Sequence, residues 1–290
     1  MLPETSSKKE AANSESSEVR QVSFQSYGVN IGVRTDTSDL SSTIKNELNK
    51  INPQGFELIA DQRAEHLFEI KSKKNNFFEM TKGGELLWSQ AGEKANFLSF
   101  LQSQIRLTIA EFADSRVFLH AGAVGWKGRA ILIPAKSFSG KTSLVAELVK
   151  RGALYYSDDF AVLDENGMLH PYHRPLSLRG VEDKYKQVDF PVEVLGGKAG
   201  YTPLPVGMIV ITEYRESEKT PKIWKPEILS GGRGIMEIIA HTIPIRHQPK
   251  FSLEVLNKVG ECAIICKSLR GDAKEFAEKL LNFFEAKVLK

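Results

Sequence analysis

The sequence predicts an α/β protein with a phosphate-binding loop, preceded by a small α+β unit. Three observations carry this. First, a short apolar run, Ile131-Leu132-Ile133, meets Pro134 and the stretch Ala135 to Thr142, and an apolar face at Leu144, Val145, Leu148 and Val149 follows at helical spacing. Strand, Gly-Lys-Thr loop and helix in that order is the layout of a phosphate-binding loop. Second, one strand-length run later, Leu154 to Ser157, two adjacent acids arrive as Asp158 and Asp159. Third, the chain upstream of residue 114 holds short alternating runs and two helix patterns, with no constellation of chemical residues.

Composition narrows the class. The 290 residues are 41% hydrophobic and 26% charged, ordinary for a globular protein with ample chain for a core. With 39 basic and 36 acidic residues the net charge is +3, which gives no pull toward polyanions, so a nucleic acid is not an expected partner. Apolar runs fall far short of a bilayer's thickness, and residues 1–20 contain no apolar signal core, so the expected setting is cytoplasmic, without a membrane partner. Cys262 and Cys266 would stand about 13 Å apart on one face of a strand, too far to bridge, and are read as reduced core thiols.

Taken in order, residues 1–20 are polar and predict a disordered tail. Val22 and Phe24, then Val29, Ile31 and Val33, alternate about Ser26-Tyr27-Gly28, as two strands or one bulged strand. Ser38 or Asp39 caps a helix bearing Leu40, Ile44, Leu48 and Ile51, ended by Pro53. Short strands are expected at 56–59, 66–70, 76–80 and 85–88, with a turn at Gly83-Gly84. The strongest helix pattern runs from Glu93 to Ala113, with Phe97, Leu101, Ile105 and Ile109 on one face. The boundary is placed at Asp114-Ser115, giving units 21–114 and 115–290. Val117 to Val124 reads as a buried strand, turning at residues 125–128 into the strand that enters the loop. Further on, residues 185–200 read as a mobile loop, 206–212 as an apolar strand and 262–266 as a core strand. The glycine run 231–234 precedes a helix with Ile235, Ile238 and Ile239, and Asp272 caps the last helix.

The chemistry is expected around the loop. Unpaired backbone N–H groups and the positive dipole end of a helix hold a polyphosphate. The contacts are expected from Ala135, Lys136, Ser137, Phe138, Ser139, Gly140, Lys141, Thr142 and Ser143. Lys141, expected exposed in the loop, would reach the β- and γ-phosphates, and the Thr142 hydroxyl would reach Mg²⁺. Ala135 stands where the first glycine is usual. Asp158 follows Lys141 by 17 positions, one helix and one strand, so the acids return beside the phosphates. One acid can hold Mg²⁺, with Asp159 the candidate ligand, while the other faces a hydroxyl that must lose its proton; adjacent acids can exchange these roles. The alternatives are a plain surface loop and a solvated polar turn.

From His120 to Gly180 the chain resembles the catalytic domain of HPr kinase/phosphorylase and the broader HPr-kinase-related proteins. The matching pieces are FLHAGAV, AKSFSGKTS, RGALYYSDDFAVLD and LSLRG, with GGRGIMEII downstream, in the same order over roughly residues 115–285. The resemblance implies a nucleotide fold shared with phosphoenolpyruvate carboxykinases, a mixed sheet with a phosphate-binding loop, flanked by helices. It also implies ATP and Mg²⁺ as cofactors, and site roles for Asp158, Asp159, His120, Arg179 and Arg233. Ser177 stands where the family has a metal-associated glutamate. The expected activity is transfer of phosphate to a serine hydroxyl of a protein, peptide or small molecule, the acceptor and any homo-oligomer being left open. A nucleotide-binding module without transfer and a carboxykinase-like enzyme are the competing readings.

Overall fold

The computed structural model describes residues 20–48, 56–60, 63–135, 139–179, 187–215 and 224–289. The expected tail lies outside them except for Arg20, as do Lys136, Ser137 and Phe138 of the loop and the expected stop at Pro53.

Residues 20–91 supply the first sheet. A hairpin of β1 (Arg20–Ser26) and β2 (Val29–Thr35) precedes α1 (Ser38–Leu48). Thr37, rather than Ser38 or Asp39, accepts from the α1 backbone at Leu40 N, because the helix opens one residue earlier than the pattern suggests. β3 (Glu57–Leu58), β4 (His66–Lys73), β5 (Phe77–Lys82) and β6 (Glu85–Ala91) complete the order β3-β1-β2-β4-β5-β6. One face of this sheet is covered by α1 and α2 (Lys94–Phe112), which bury Leu40, Ile44, Phe97, Leu101, Ile105 and Ile109. Each such side chain contributes about 1.5–3 kcal/mol.

The second sheet begins with the hairpin β7 (Val117–Trp126) and β8 (Arg129–Pro134), followed by α3 (Lys141–Lys150). Next come β9 (Leu154–Ser157), β10 (Phe160–Leu163), β11 (Met168–His170), β12 (Leu176–Arg179), β13 (Gln187–Phe190) and β14 (Lys198–Ala199). β15 (Leu204–Tyr214), β16 (Glu227–Ile228), α4 (Gly231–Ile239), α5 (Pro249–Cys262), β17 (Ile264–Arg270) and α6 (Ala273–Val288) follow. The pairing closes on itself: β7 with β10, β10 with β11, β11 with β15, β15 with β8 and β8 with β7. β15 lies parallel to both β8 and β17, so the sheet is mixed.

The period of two in these strands separates three cores. Leu119, Ala121, Ala123, Leu132 and Ala161 form one core with Val255, Leu256 and Val259 of α5. Val124, Ile131, Ile133 and Val210 face α3 and α6. Phe118, Phe160, Val162 and Tyr172 join the core of the first sheet, against α2.

Three expectations change. Cys262 is the exposed end of α5, not the start of a core strand; Ser252, Val255, Leu256 and Val259 lie at helical spacing and carry the helix that far. Both cysteines are free thiols. Residues 231–234 do not precede α4 but form its first turn, and a Cβ on Gly234 would stand 2.6 Å from Ile265, so the close approach of α4 to β17 requires glycine. Within the expected loop at 185–200, the described part holds β13, a 3-10 turn at Val192–Leu195 and β14, which pairs in parallel with β9. Backbone pairing, invisible in the sequence, supplies that order. Among the described residues no helix is long and apolar enough to cross a membrane.

Candidate active site

β8 is buried on both faces and delivers Ala135, itself buried, to the loop. The loop ends at Gly140, whose φ of 77° lies in the left-handed region that glycine occupies without strain. α3 starts at the next residue. Thr142 is half-buried and Ser143 exposed in its first turn, where backbone N–H groups lack helical partners.

Lys141 is buried, at 7% exposure, and not exposed in the loop as the sequence suggests. Its Nζ donates to the Ala135 carbonyl at 2.7 Å and lies 2.9 Å from His120 Nε2 on β7. A charged lysine must find oxygen or nitrogen acceptors once it folds inward, and the loop's own carbonyl and the imidazole provide them. Burial pulls the ammonium down to about 8, against the pull of Asp159 and then Asp158. Burial, and then the neighbouring Lys141 charge, lower the His120 pKa. A neutral His120 accepting at Nε2 carries its proton on Nδ1.

The acid pair sits between β9 and β10, two strands that both pair with β7. β9 pairs with β7 at Ala123 and beyond, while β10 pairs with β7 from His120 backwards, so residues 158–159 bridge the two pairings. Ser157 Oγ holds the bend by accepting from the N–H groups of Asp159 and Phe160. Asp158 is buried; Tyr155 Oη lies 3.1 Å from its Oδ1 and the Ser177 N–H 3.4 Å from its Oδ2. Burial, reinforced by the Asp159 charge, raises the Asp158 pKa. Asp159 faces other partners. Arg174 Nη1 lies 2.8 Å from its Oδ2, and Arg106 Nε of α2 lies 3.7 Å from the same oxygen.

The structure thus brings together Ala135, Lys141, His120, Asp158 and Asp159. Arg233 stands on exposed α4, paired at 3.0 Å with Glu227 on the edge strand β16 rather than with either acid. Arg179 ends β12; its side chain lies outside the described residues. Ser177 donates its hydroxyl to Asp189, its register partner on β13.

Sequence reasoning gave no role to Arg106, Arg174, Tyr155 or Arg270. Arg270, at the end of β17, donates from Nη2 to the carbonyls of Ser139 and Gly140 at 3.0 and 2.9 Å, and stacks over the Tyr214 ring. It braces the end of the loop through these two carbonyls. Arg106 carries one sequence signal, a charge set between Ile105 and Ile109 on the apolar face of α2. Arg174 and Arg270 carry none. Among the described residues no group of three or more His, Cys, Asp or Glu is arranged to hold a metal by itself.

No family model matches the chain, and the search of curated proteins finds no match. Among solved structures, the Hpr(Ser) kinase/phosphatase from Coxiella burnetii is similar at 16% identity, over 60% of this chain and 99% of that one, with a TM-score of 0.37. A likeness this weak fixes neither a family nor a chemistry for this chain.

Proposed function

We propose that this chain is a kinase that uses ATP and Mg²⁺ to phosphorylate a serine hydroxyl on a protein, peptide or small molecule. The observation that carries the reading is the meeting, beside β7, of a lysine opening a helix and two carboxylates with different surroundings. The N-terminus of α3 suits a polyphosphate. Lys141 would leave the Ala135 carbonyl for the β- and γ-phosphate oxygens, and His120 would support it from behind.

Mg²⁺ prefers oxygen ligands, usually one or two carboxylates with phosphate oxygens and water. Thr142 and Asp159 offer such a set, and two adjacent carboxylates repelling each other suit a cation. Mg²⁺, when bound, neutralises charge on the phosphates. Asp159 affects Lys141 more strongly than Asp158 does, which favours Asp159 for the phosphate side. Asp158, made more basic by burial, takes the acceptor's proton. The serine Oγ then bonds to the γ-phosphorus as the bond to the β–γ bridging oxygen breaks, and ADP leaves. The resemblance of the stretch 115–285 to HPr-kinase-related proteins supports the same reading.

A nucleotide-binding module without transfer is favoured by one observation: both carboxylates already have protein partners. Calorimetry with ATP, followed by assay of ATP turnover with candidate acceptors, separates the two. Binding with turnover supports the kinase, binding alone supports the module, and no binding removes both.

A further inference from the structure

We propose that α2, from the first unit of the chain, completes the active site, with Arg106 as a positioning residue for Asp159. The inference rests on the kinase reading above and adds to it a residue that neither the loop nor the acid-pair motif contains.

Arg106 is 8% exposed and is one of the buried residues of α2. Its Nη2 donates to Ser103 Oγ at 3.1 Å, one turn back on the same helix, which fixes the direction of the guanidinium. Its Nε is buried without a hydrogen-bond partner and lies 3.7 Å from Asp159 Oδ2. Arg174 Nη1 approaches that same oxygen at 2.8 Å. Two guanidiniums, one from α2 and one from the chain after β11, therefore converge on one oxygen of Asp159. Burial lowers the Arg106 pKa, and the neighbouring Arg174 charge lowers it further.

Stability gives little reason for this arrangement. A buried ion pair typically contributes no more than a well-packed apolar side chain of similar volume. A methionine at 106 would fill a similar volume without desolvating a charge. What the arginine supplies, and methionine would not, is a fixed orientation of Asp159. Groups that orient a metal-binding carboxylate typically alter metal affinity about 10–100-fold when removed.

The test measures ATP affinity by calorimetry, with Mg²⁺ and with EDTA, in wild type, R106M and R106K, alongside thermal unfolding. R106M leaves Asp159 paired with Arg174, so it is expected to melt within a few degrees of wild type and to keep the affinity seen in EDTA. It should lose about 10-fold of the tightening that Mg²⁺ brings. R106K, which keeps the charge but not the fork, should recover part of it. Equal Mg²⁺ tightening in R106M and wild type overturns the proposal. So does a parallel fall in melting temperature and in both affinities, which would make Arg106 a structural brace. If R106M does not fold, R106K decides: reduced tightening supports the proposal and unchanged tightening overturns it. Failure of the kinase reading shows separately, in wild type that binds no ATP at all.

Discussion

Replacing Lys141 by methionine should make the protein more stable and unable to hold nucleotide. The buried ammonium ionises at about 8 where an ordinary lysine does so at 10.5. At pH 7 that difference costs the folded chain about 3 kcal/mol. Methionine keeps the length of the stem and removes the charge. It also removes the charged hydrogen bond to the Ala135 carbonyl, worth about 2 kcal/mol. The net expectation is a gain of about 1 kcal/mol, or about 2–4 °C in melting temperature for a chain of this size. Between about 8 and 10.5 the unfolded chain binds the proton and the folded chain does not, so wild-type stability rises with pH across that window. The advantage of K141M should therefore be present at pH 7 and shrink as pH rises through it. Calorimetry at pH 7 should show ATP affinity reduced about 100-fold. Thermal unfolding at several pH values provides the second reading. A variant that melts several degrees lower at pH 7, with a difference from wild type that ignores pH, would refute the reasoning.

Two other substitutions test the frame around the site. G140A must force an alanine to a φ of 77° and place a Cβ 2.5 Å from Arg270 Nη2, so it should lose about 1–3 kcal/mol and weaken ATP binding; an unchanged melting curve would contradict this. D272A removes a cap that accepts from the N–H groups of Lys274 and Glu275 on α6, and should cost about 1 kcal/mol in denaturant unfolding without changing ATP affinity.

Elements with a strong period were legible in the sequence. The apolar stripe of α2, the β7–β8 hairpin, the strand-loop-helix around Lys141 and the Asp272 cap all follow from local spacing and turn chemistry. α5 was not, because Ser252 interrupts its stripe and Cys262 invited a strand reading. The closure of the second sheet through β8 and β15 depends on pairing between residues some 75 positions apart, such as Ala130 and Val206, which no local pattern encodes. At the site, Lys141 and the two acids could be found because one helix and one strand separate them. Arg106 and Arg174 reach Asp159 through tertiary packing of α2 and the chain after β11, so only the charge within an apolar face hinted at the first. The inward fold of Lys141 was not legible either, since it depends on His120 and the Ala135 carbonyl being within reach.

In the proposed reaction Asp158 serves as proton acceptor as phosphate passes to a serine hydroxyl. The most direct measurement of this role is the transfer of label from [γ-³²P]ATP into a lysate of the source cells, by wild type and by D158N. D158N keeps the size and polarity of the side chain but removes the proton acceptor. The account predicts phosphoserine label with wild type, transfer about 10²–10⁴-fold slower with D158N, and equal ATP affinity in the two proteins. Equal transfer by both proteins, or wild type that binds ATP and Mg²⁺ and labels nothing, would contradict it.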